Sequence, residues 1–119
     1  MKCLDTYALV EIANGNARFA PLITEEVMIT DLTMAEFYGN LYKRFNQQTA
    51  EYWHKKLIFF CKSVPREILF KAVKFRIDHK KQNFSFFDCV GYCFARTHNV
   101  LFVTGDKEFQ NLEGVEFVK

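Results

Sequence analysis

The sequence predicts an α/β fold, with one three-layer domain over residues 1–119 in which helices flank a small, mainly parallel sheet of four to five strands. Half of the 119 residues are hydrophobic, which is enough for one compact core. Short apolar runs alternate with helical patterns, as in parallel sheets whose two faces are covered by crossover helices. Neither a linker nor an internal repeat divides the chain.

The predicted strands are the apolar runs at residues 2–4, 27–29, 61–64, 100–103 and 115–118. The fourth of these runs is the clearest. A helix at residues 6–13 follows the first strand and ends at Asn14-Gly15. A further short helical segment is expected at residues 17–23, where Pro21 limits its length.

Four longer helices are predicted after the second strand. The first covers residues 33–45, where an amphipathic stripe is formed by Met34, Phe37, Tyr38, Leu41 and Phe45. Two more are expected at residues 48–60 and 65–80, the latter with Pro65 in its first turn. The last begins at Ser85 and ends near residues 98–99, directly before the fourth strand.

Charge is unevenly distributed along the chain. Residues 43–83 carry eleven Lys and Arg against three acids, a net charge of +8, whereas residues 1–42 carry −4 and residues 84–119 carry −2. The basic segment therefore predicts a surface for a polyanion such as RNA, an acidic protein partner, or a set of solvated helix faces. The sequence does not separate these interpretations.

The cysteines and the N-terminus indicate an intracellular protein. No CxxC pair or Cys/His zinc pattern is present, so we expect reduced, mostly buried thiols and no disulfide. Asp5 and Glu11 interrupt the N-terminal apolar stretch, and no window approaches the roughly 18 apolar residues of a membrane span. The expected location is the cytoplasm.

Acidic residues from distant parts of the chain are predicted to meet at the carboxyl edge of the sheet. Residues that follow a parallel strand, or that open the next helix, gather at this edge. Six carboxylates qualify: Asp5, Asp31, Glu36, Asp88, Asp106 and Glu108. Four others belong to the opposite edge: Glu25, Glu26, Asp78 and Glu113.

Each acid also has a structural explanation, since a capping box is possible at Thr33–Glu36 and at Ser85–Asp88, and Asp5 and Asp106 are placed to cap a helix or turn. Together, however, two carboxylates about 5 Å apart repel by roughly 3 kcal/mol at an effective dielectric constant near 20. An all-oxygen cluster suits Mg²⁺ or Mn²⁺. The sequence therefore predicts a phosphoryl-transfer site with one or two ions and a metal-activated water.

Four motifs in order resemble the PIN-domain family. They are Leu4-Asp5-Thr6, Thr33-x-x-Glu36, Ser85-x-x-Asp88, and Thr104-Gly105-Asp106 with Phe109 three residues on. The resemblance extends over the whole chain and is closest to the short VapC-type toxins of toxin-antitoxin pairs. Gly105 departs from the family pattern, in which a larger polar residue is frequent.

The resemblance implies an endoribonuclease that hydrolyses RNA with Mg²⁺ or Mn²⁺. By position, the catalytic residues and metal ligands would be Asp5, Glu36, Asp88 and Asp106, with Thr6 and Thr104 supporting them through hydrogen bonds. It also implies a small antitoxin partner and a homodimer. No activated serine or cysteine motif is present, so no protein nucleophile is expected.

Five side chains near the acidic helices are candidate RNA contacts: Asn40, Lys43, Arg44, Tyr92 and Arg96. Alternative functions are a solitary PIN-domain nuclease for RNA processing, or a non-catalytic module that binds nucleic acid or protein. A phosphoacceptor domain is disfavoured, because such domains place a second Asp beside or two residues after the first, whereas Asp5 is followed by Thr6 and Tyr7.

Overall fold

A five-stranded parallel sheet forms the centre of the protein. The computed structural model describes residues 1–119, apart from the side chain of Ile23. The strands are β1 (Lys2–Leu4), β2 (Val27–Thr30), β3 (Cys61–Lys62), β4 (Leu101–Thr104) and β5 (Val115–Phe117). Their order is β3-β2-β1-β4-β5, and all four pairings are parallel. The predicted α/β class and parallel sheet are confirmed.

Five α-helices cover the sheet: α1 (Thr6–Ala13), α2 (Asp31–Arg44), α3 (Gln47–Leu57), α4 (Arg66–Asp78) and α5 (Phe86–Thr97). Three short 3-10 helices lie at Ala20–Thr24, Ile58–Phe60 and Lys107–Phe109. Within the part of the chain that the structure describes, no helix is long and apolar enough to cross a membrane.

The core consists of two apolar clusters on opposite faces of the sheet. Neighbouring residues of a strand point to opposite faces. Cys3 and Phe102 pack with α4 and α5, whereas Leu4 and Val103 pack with α1, α2 and α3. The sheet is therefore the middle layer of three, as the sequence predicts.

The helix boundaries differ slightly from the prediction. Helix α2 begins at Asp31 because the side chain of Thr30 caps it, accepting a hydrogen bond from the Thr33 amide at 3.0 Å. The proposed capping box at Thr33–Glu36 is therefore wrong, and Glu36 lies in the second turn. The 3-10 helix at Lys107–Phe109 was not predicted, although Asp106 caps it as a turn-capping residue would.

All four cysteines are free thiols. Three of them are buried, and Cys61 is half-buried. Burial raises the pKa of the Cys3 and Cys89 thiols to about 12, so these groups stay protonated and behave as small apolar side chains.

The strand order places a crevice beside β1. Strands β2 and β4 flank β1, and their connections run on opposite faces of the sheet. Open parallel sheets bind ligands where the direction of the connections changes, at the carboxyl ends of the strands. Asp5 follows β1 at this position, and Asp106 comes two residues after β4.

Candidate active site

Four predicted carboxylates from four parts of the chain line one cleft at the carboxyl edge of the sheet, together with Glu11 of α1. They are Asp5, Glu36, Asp88 and Asp106, and the cleft has a volume of about 450 Å³. The structure brings together these four of the six carboxylates that the sequence places at this edge. We call this cleft the acidic cleft.

Asp5 is held at the bottom of the acidic cleft by the backbone around it. Its amide donates to the Val103 carbonyl at 3.2 Å, which joins the end of β1 to β4. Its carboxylate caps α1 by accepting a hydrogen bond from the Ala8 amide at 2.8 Å. Only 1% of the residue is exposed. Capping and membership of the acidic cleft are thus compatible roles of the same carboxylate.

The surroundings of Asp5 disfavour its charge. Burial raises its pKa to about 8, and the negative charge of Asp88 adds to the rise, with a smaller addition from Asp106. Hydrogen bonds from the Thr104 hydroxyl and the Ala8 amide oppose the rise without cancelling it. Without a cation nearby, Asp5 therefore holds its proton at neutral pH.

Asp88 lies in the first turn of α5, whose N-terminus is at the same edge. Ser85 caps this helix, because its hydroxyl oxygen accepts a hydrogen bond from the Asp88 amide at 3.1 Å. Burial raises the pKa of Asp88 to about 6, and the charges of Glu36 and Asp106 contribute to the rise. The predicted cap at Ser85 is confirmed, and the carboxylates are close enough to influence one another.

Two buried threonines hold the remaining acids. The Thr6 hydroxyl donates to the Glu36 carboxylate and so joins α1 to α2. The Thr104 hydroxyl accepts a hydrogen bond from the Asp106 amide at 3.0 Å and also bonds to Asp5. Thr104 therefore connects the Asp5 carboxylate to the backbone of Asp106.

The other acidic candidates lie outside the acidic cleft. Asp31 is exposed and lines a different surface groove with Tyr38 and Cys61. Glu108 is exposed. At the opposite edge, Glu25 forms an ion pair with Lys2 at 3.3 Å, and Glu113 forms one with Arg96 at 3.4 Å. The separation of acids between the two edges therefore agrees with the sequence argument.

Of the side chains considered as RNA contacts, Asn40 lines the acidic cleft. Lys43 and Arg44 lie about two turns beyond Glu36, in the last turn of α2, and both are exposed. The Arg44 guanidinium lies over the Phe45 ring at 5.7 Å. These two cations lie at the far end of α2 from the carboxylates.

The structure corrects the expectation for Tyr92 and Arg96. Tyr92 is 7% exposed, packs against Phe102 and Phe109, and donates its hydroxyl to the Glu113 carbonyl at 2.7 Å, so its ring is not available to RNA. Arg96 is eight residues after Asp88, about 12 Å along the axis of α5, and pairs with Glu113. Both positions follow from the direction of α5, which runs away from the cleft.

Three cleft residues were missed by the sequence analysis: Tyr7, Val10 and Glu11. Their spacing of three and four residues places them on one face of α1, which begins at the cleft, and this signal was present in the sequence. Gly105 packs against the Tyr7 ring, and a Cβ atom at this position would overlap that ring. The close approach of Tyr7 explains why glycine stands where the family has a larger residue.

The donor set fits a hard divalent ion. Among the residues that the structure describes, no three His, Cys, Asp or Glu side chains stand close enough to hold a metal ion in their present rotamers. The acids of the acidic cleft nevertheless offer only oxygen ligands, and Asp5, Glu36, Asp88 and Asp106 repel one another. Mg²⁺ and Mn²⁺ prefer such ligands and would offset the repulsion.

Comparison with known proteins points to one family. A family model described as PIN domain matches residues 2–115. No curated protein matches the chain significantly.

Several solved structures share the fold over nearly the whole chain. VapC20 of Mycobacterium tuberculosis, described as a sarcin-ricin loop cleaving toxin, superposes with a TM-score of 0.82 at 18% identity, covering 100% of both chains. VapBC-1 from nontypeable Haemophilus influenzae gives 0.73 at 19% identity, covering 99% of this chain and 96% of that one. A toxin-antitoxin complex from Klebsiella pneumoniae gives 0.76 at 18% identity, with coverages of 98% and 96%. At these identities the likeness concerns the fold.

Proposed function

The chain belongs to the PIN domain family, and from this membership we propose that it is a metal-dependent endoribonuclease that acts as the toxin of a type II toxin-antitoxin pair. The observation that carries the proposal is the acidic cleft, where acids from four segments lie together and raise one another's pKa. Carboxylates that repel in this way are suited to a shared cation and a phosphodiester.

The residues of the acidic cleft divide the work. Asp5 and Asp106 would be the main ligands of Mg²⁺ or Mn²⁺, and Glu36 and Asp88 would complete the binding of one or two ions. When bound, such an ion would supply Lewis acidity for activating water and for offsetting charge on the phosphate. Thr104 holds the Asp5 carboxylate and the Asp106 backbone amide, and Thr6 holds the Glu36 carboxylate. No side-chain nucleophile takes part.

Asp5 is buried and held in place by its neighbours, which distinguishes it from the other carboxylates of the acidic cleft. Three groups fix the residue: the Val103 carbonyl, the Ala8 amide and the Thr104 hydroxyl. Because its carboxylate is already desolvated, it gains more from a divalent ion than an exposed carboxylate would. Asp5 would therefore be the stronger anchor for an ion, and Asp106 is the more exposed of the two.

We also propose that residues 1–119 form one nuclease domain, that it pairs with a small antitoxin, and that it forms a homodimer. The support for the antitoxin is the likeness to chains solved in toxin-antitoxin complexes. An RNA-cleaving toxin would act in the cytoplasm, where its substrate is found.

The proposal is tested by cleavage of a structured RNA with Mg²⁺ or Mn²⁺. We expect Asp5→Asn and Asp106→Asn each to reduce the rate by a factor of ~100 or more, as loss of a group that stabilises the transition state does. Glu108→Gln is the matched control, because it removes an exposed acid two residues from Asp106 and outside the acidic cleft. Unchanged cleavage in both aspartate variants would end the proposal.

A further inference from the structure

A second cavity lies next to the N-terminus of α5, on the other side of its first turn from the acidic cleft. It has a volume of about 450 Å³, which is in the range of small-molecule sites. Helix α4 supplies Arg76, and the connection from α4 to α5 supplies Lys80, Gln82 and Asn83. Phe86, the first residue of α5, forms part of its wall.

The lining combines three kinds of side chain that bind nucleotides: cations, amides and an aromatic ring. Arg76 and Lys80 are exposed cations, and within the described residues neither forms an ion pair. Gln82 and Asn83 carry amides that can donate to and accept from a base edge. Phe86 is half-buried and presents an aromatic surface. None of the lining residues is acidic.

One wall of the cavity is packed against the core of the fold. The Arg76 Nε group donates to the Phe84 carbonyl at 3.0 Å and fixes the connection to α4. The buried Phe84 ring stacks between Phe75, at 5.3 Å, and Phe109, at 4.3 Å. Phe109 ends the 3-10 helix that Asp106 caps. One aromatic stack therefore connects the cavity wall to the segment that carries a cleft carboxylate.

The cavity and the acidic cleft share the first turn of α5. Phe86 precedes Asp88 by two residues, about 3 Å along the helix axis and about 200° around it, so the two side chains lie on opposite sides of the helix. An RNA strand that reaches from the carboxylates to the cavity therefore has to cross this turn, which is about 10 Å wide.

We propose that this cavity binds a nucleotide of a single-stranded RNA that continues beyond the scissile phosphate, with Lys80 and Arg76 holding its phosphate and Phe86 stacking on its base. The proposal rests on the proposed nuclease function and identifies the substrate as an RNA that is unpaired where it crosses the first turn of α5. It assigns two of the eleven cations of the basic segment 43–83, Arg76 and Lys80, to RNA, because a concave site with amides and an aromatic wall suits a nucleotide better than an acidic helix.

The test compares RNA binding by Lys80→Ala, Phe86→Ala and a matched control. Lys74→Ala is the control, because it removes the same charge from an exposed position on α4 outside the cavity. Affinity for an end-labelled single-stranded RNA is measured by fluorescence anisotropy in EDTA over a range of salt concentrations. Circular dichroism establishes that each variant is folded.

Each variant has its own expected signature. Lys80→Ala weakens binding about threefold to tenfold and lowers the slope of log affinity against log salt by roughly 0.7, which is the value for one phosphate contact on a single strand. Phe86→Ala weakens binding about tenfold with little change in the slope, as loss of base stacking does. Lys74→Ala changes both quantities less than Lys80→Ala.

Equal RNA affinity and equal salt dependence of Lys80→Ala and Lys74→Ala overturn the proposal. If a partner protein then binds Lys80→Ala more weakly than the wild type, the cavity is assigned to protein binding. If Phe86→Ala does not fold, the lysine pair decides alone. The two proposals fail separately. RNA cleavage with an unchanged KM in Lys80→Ala rejects the cavity and keeps the nuclease, whereas cavity-dependent binding by a protein that cleaves no RNA rejects the nuclease and keeps the binding site.

Discussion

Removal of divalent ions should make the stability of this protein depend on pH through Asp5. The pKa of this buried carboxyl is about 8 in the folded protein, against about 3.9 for an unperturbed Asp. The folded state therefore binds the proton more tightly than the unfolded state. The stability that the protonated group contributes is fully present below pH ~4 and is lost as the pH rises through about 8.

The magnitude follows from the difference between the two pKa values. Within this window, one proton changes the free energy of unfolding by about 1.4 kcal/mol per pH unit, which gives a loss of about 4 kcal/mol between pH ~4 and pH ~7. Asp88, whose pKa is about 6, adds to the slope in the lower half of the window. Since single domains are stable by only ~5–15 kcal/mol, the effect is large.

Asp5→Asn should remove the larger part of this slope. The amide oxygen of Asn can still accept the Ala8 hydrogen bond, and the side chain carries no charge at any pH. We expect the variant to be less sensitive to pH than the wild type and more stable than the wild type in EDTA at pH ~8. Urea unfolding followed by circular dichroism at constant ionic strength measures both quantities. Glu108→Gln should follow the wild type, and parallel curves for wild type and Asp5→Asn would refute the reasoning.

Three further predictions concern the support of the acidic cleft and its substrate. Gly105→Ala should lower the free energy of unfolding by about 1–3 kcal/mol and reduce cleavage, because the added Cβ overlaps the Tyr7 ring. Gly39→Ala on α2 is the control, because its Cβ has free space and the change should be neutral or stabilising. Thermal melts and RNA cleavage compare the two variants, and equal effects would contradict the packing argument. Thr104→Val should cost about 1–3 kcal/mol and slow cleavage, because it removes the hydroxyl that holds the Asp5 carboxylate and the Asp106 backbone amide, while exposed Thr97→Val should not. Urea unfolding and the same cleavage assay check this, and wild-type values for the first variant would count against it. Sequencing of RNA ends after incubation of total RNA with the purified protein should give discrete new ends that require Mg²⁺ or Mn²⁺, and random ends would speak against a selective nuclease.

The positions of the strands and helices followed from local patterns. Apolar runs and helical spacing predicted every strand of the sheet and all five α-helices, with boundaries displaced by a few residues. The largest consequence of such a displacement is at α2, where Thr30 begins the helix earlier than the motif at Thr33 suggested. Either residue type can cap, and only the three-dimensional path of the chain after β2 selects Thr30.

The positions of the acids could be predicted, because the edge at which a residue lies depends only on strand direction. The same reasoning failed for residues further along the helices that carry these acids. Tyr92 shares a helix face with Asp88 by spacing, yet α5 runs between the sheet and α4, so that one turn later the same face is buried. The cavity beside α5 could not be predicted from the sequence either, because it depends on the long-range stacking of Phe84 on Phe109.

Calorimetric titration of Mn²⁺ into the metal-free protein tests most directly whether the separated acids act together. Saturable binding to the wild type, lost in both Asp5→Asn and Asp106→Asn and retained in Glu108→Gln, is the predicted result. Binding that persists in both aspartate variants, or a wild type that takes up no ion, would contradict the shared site.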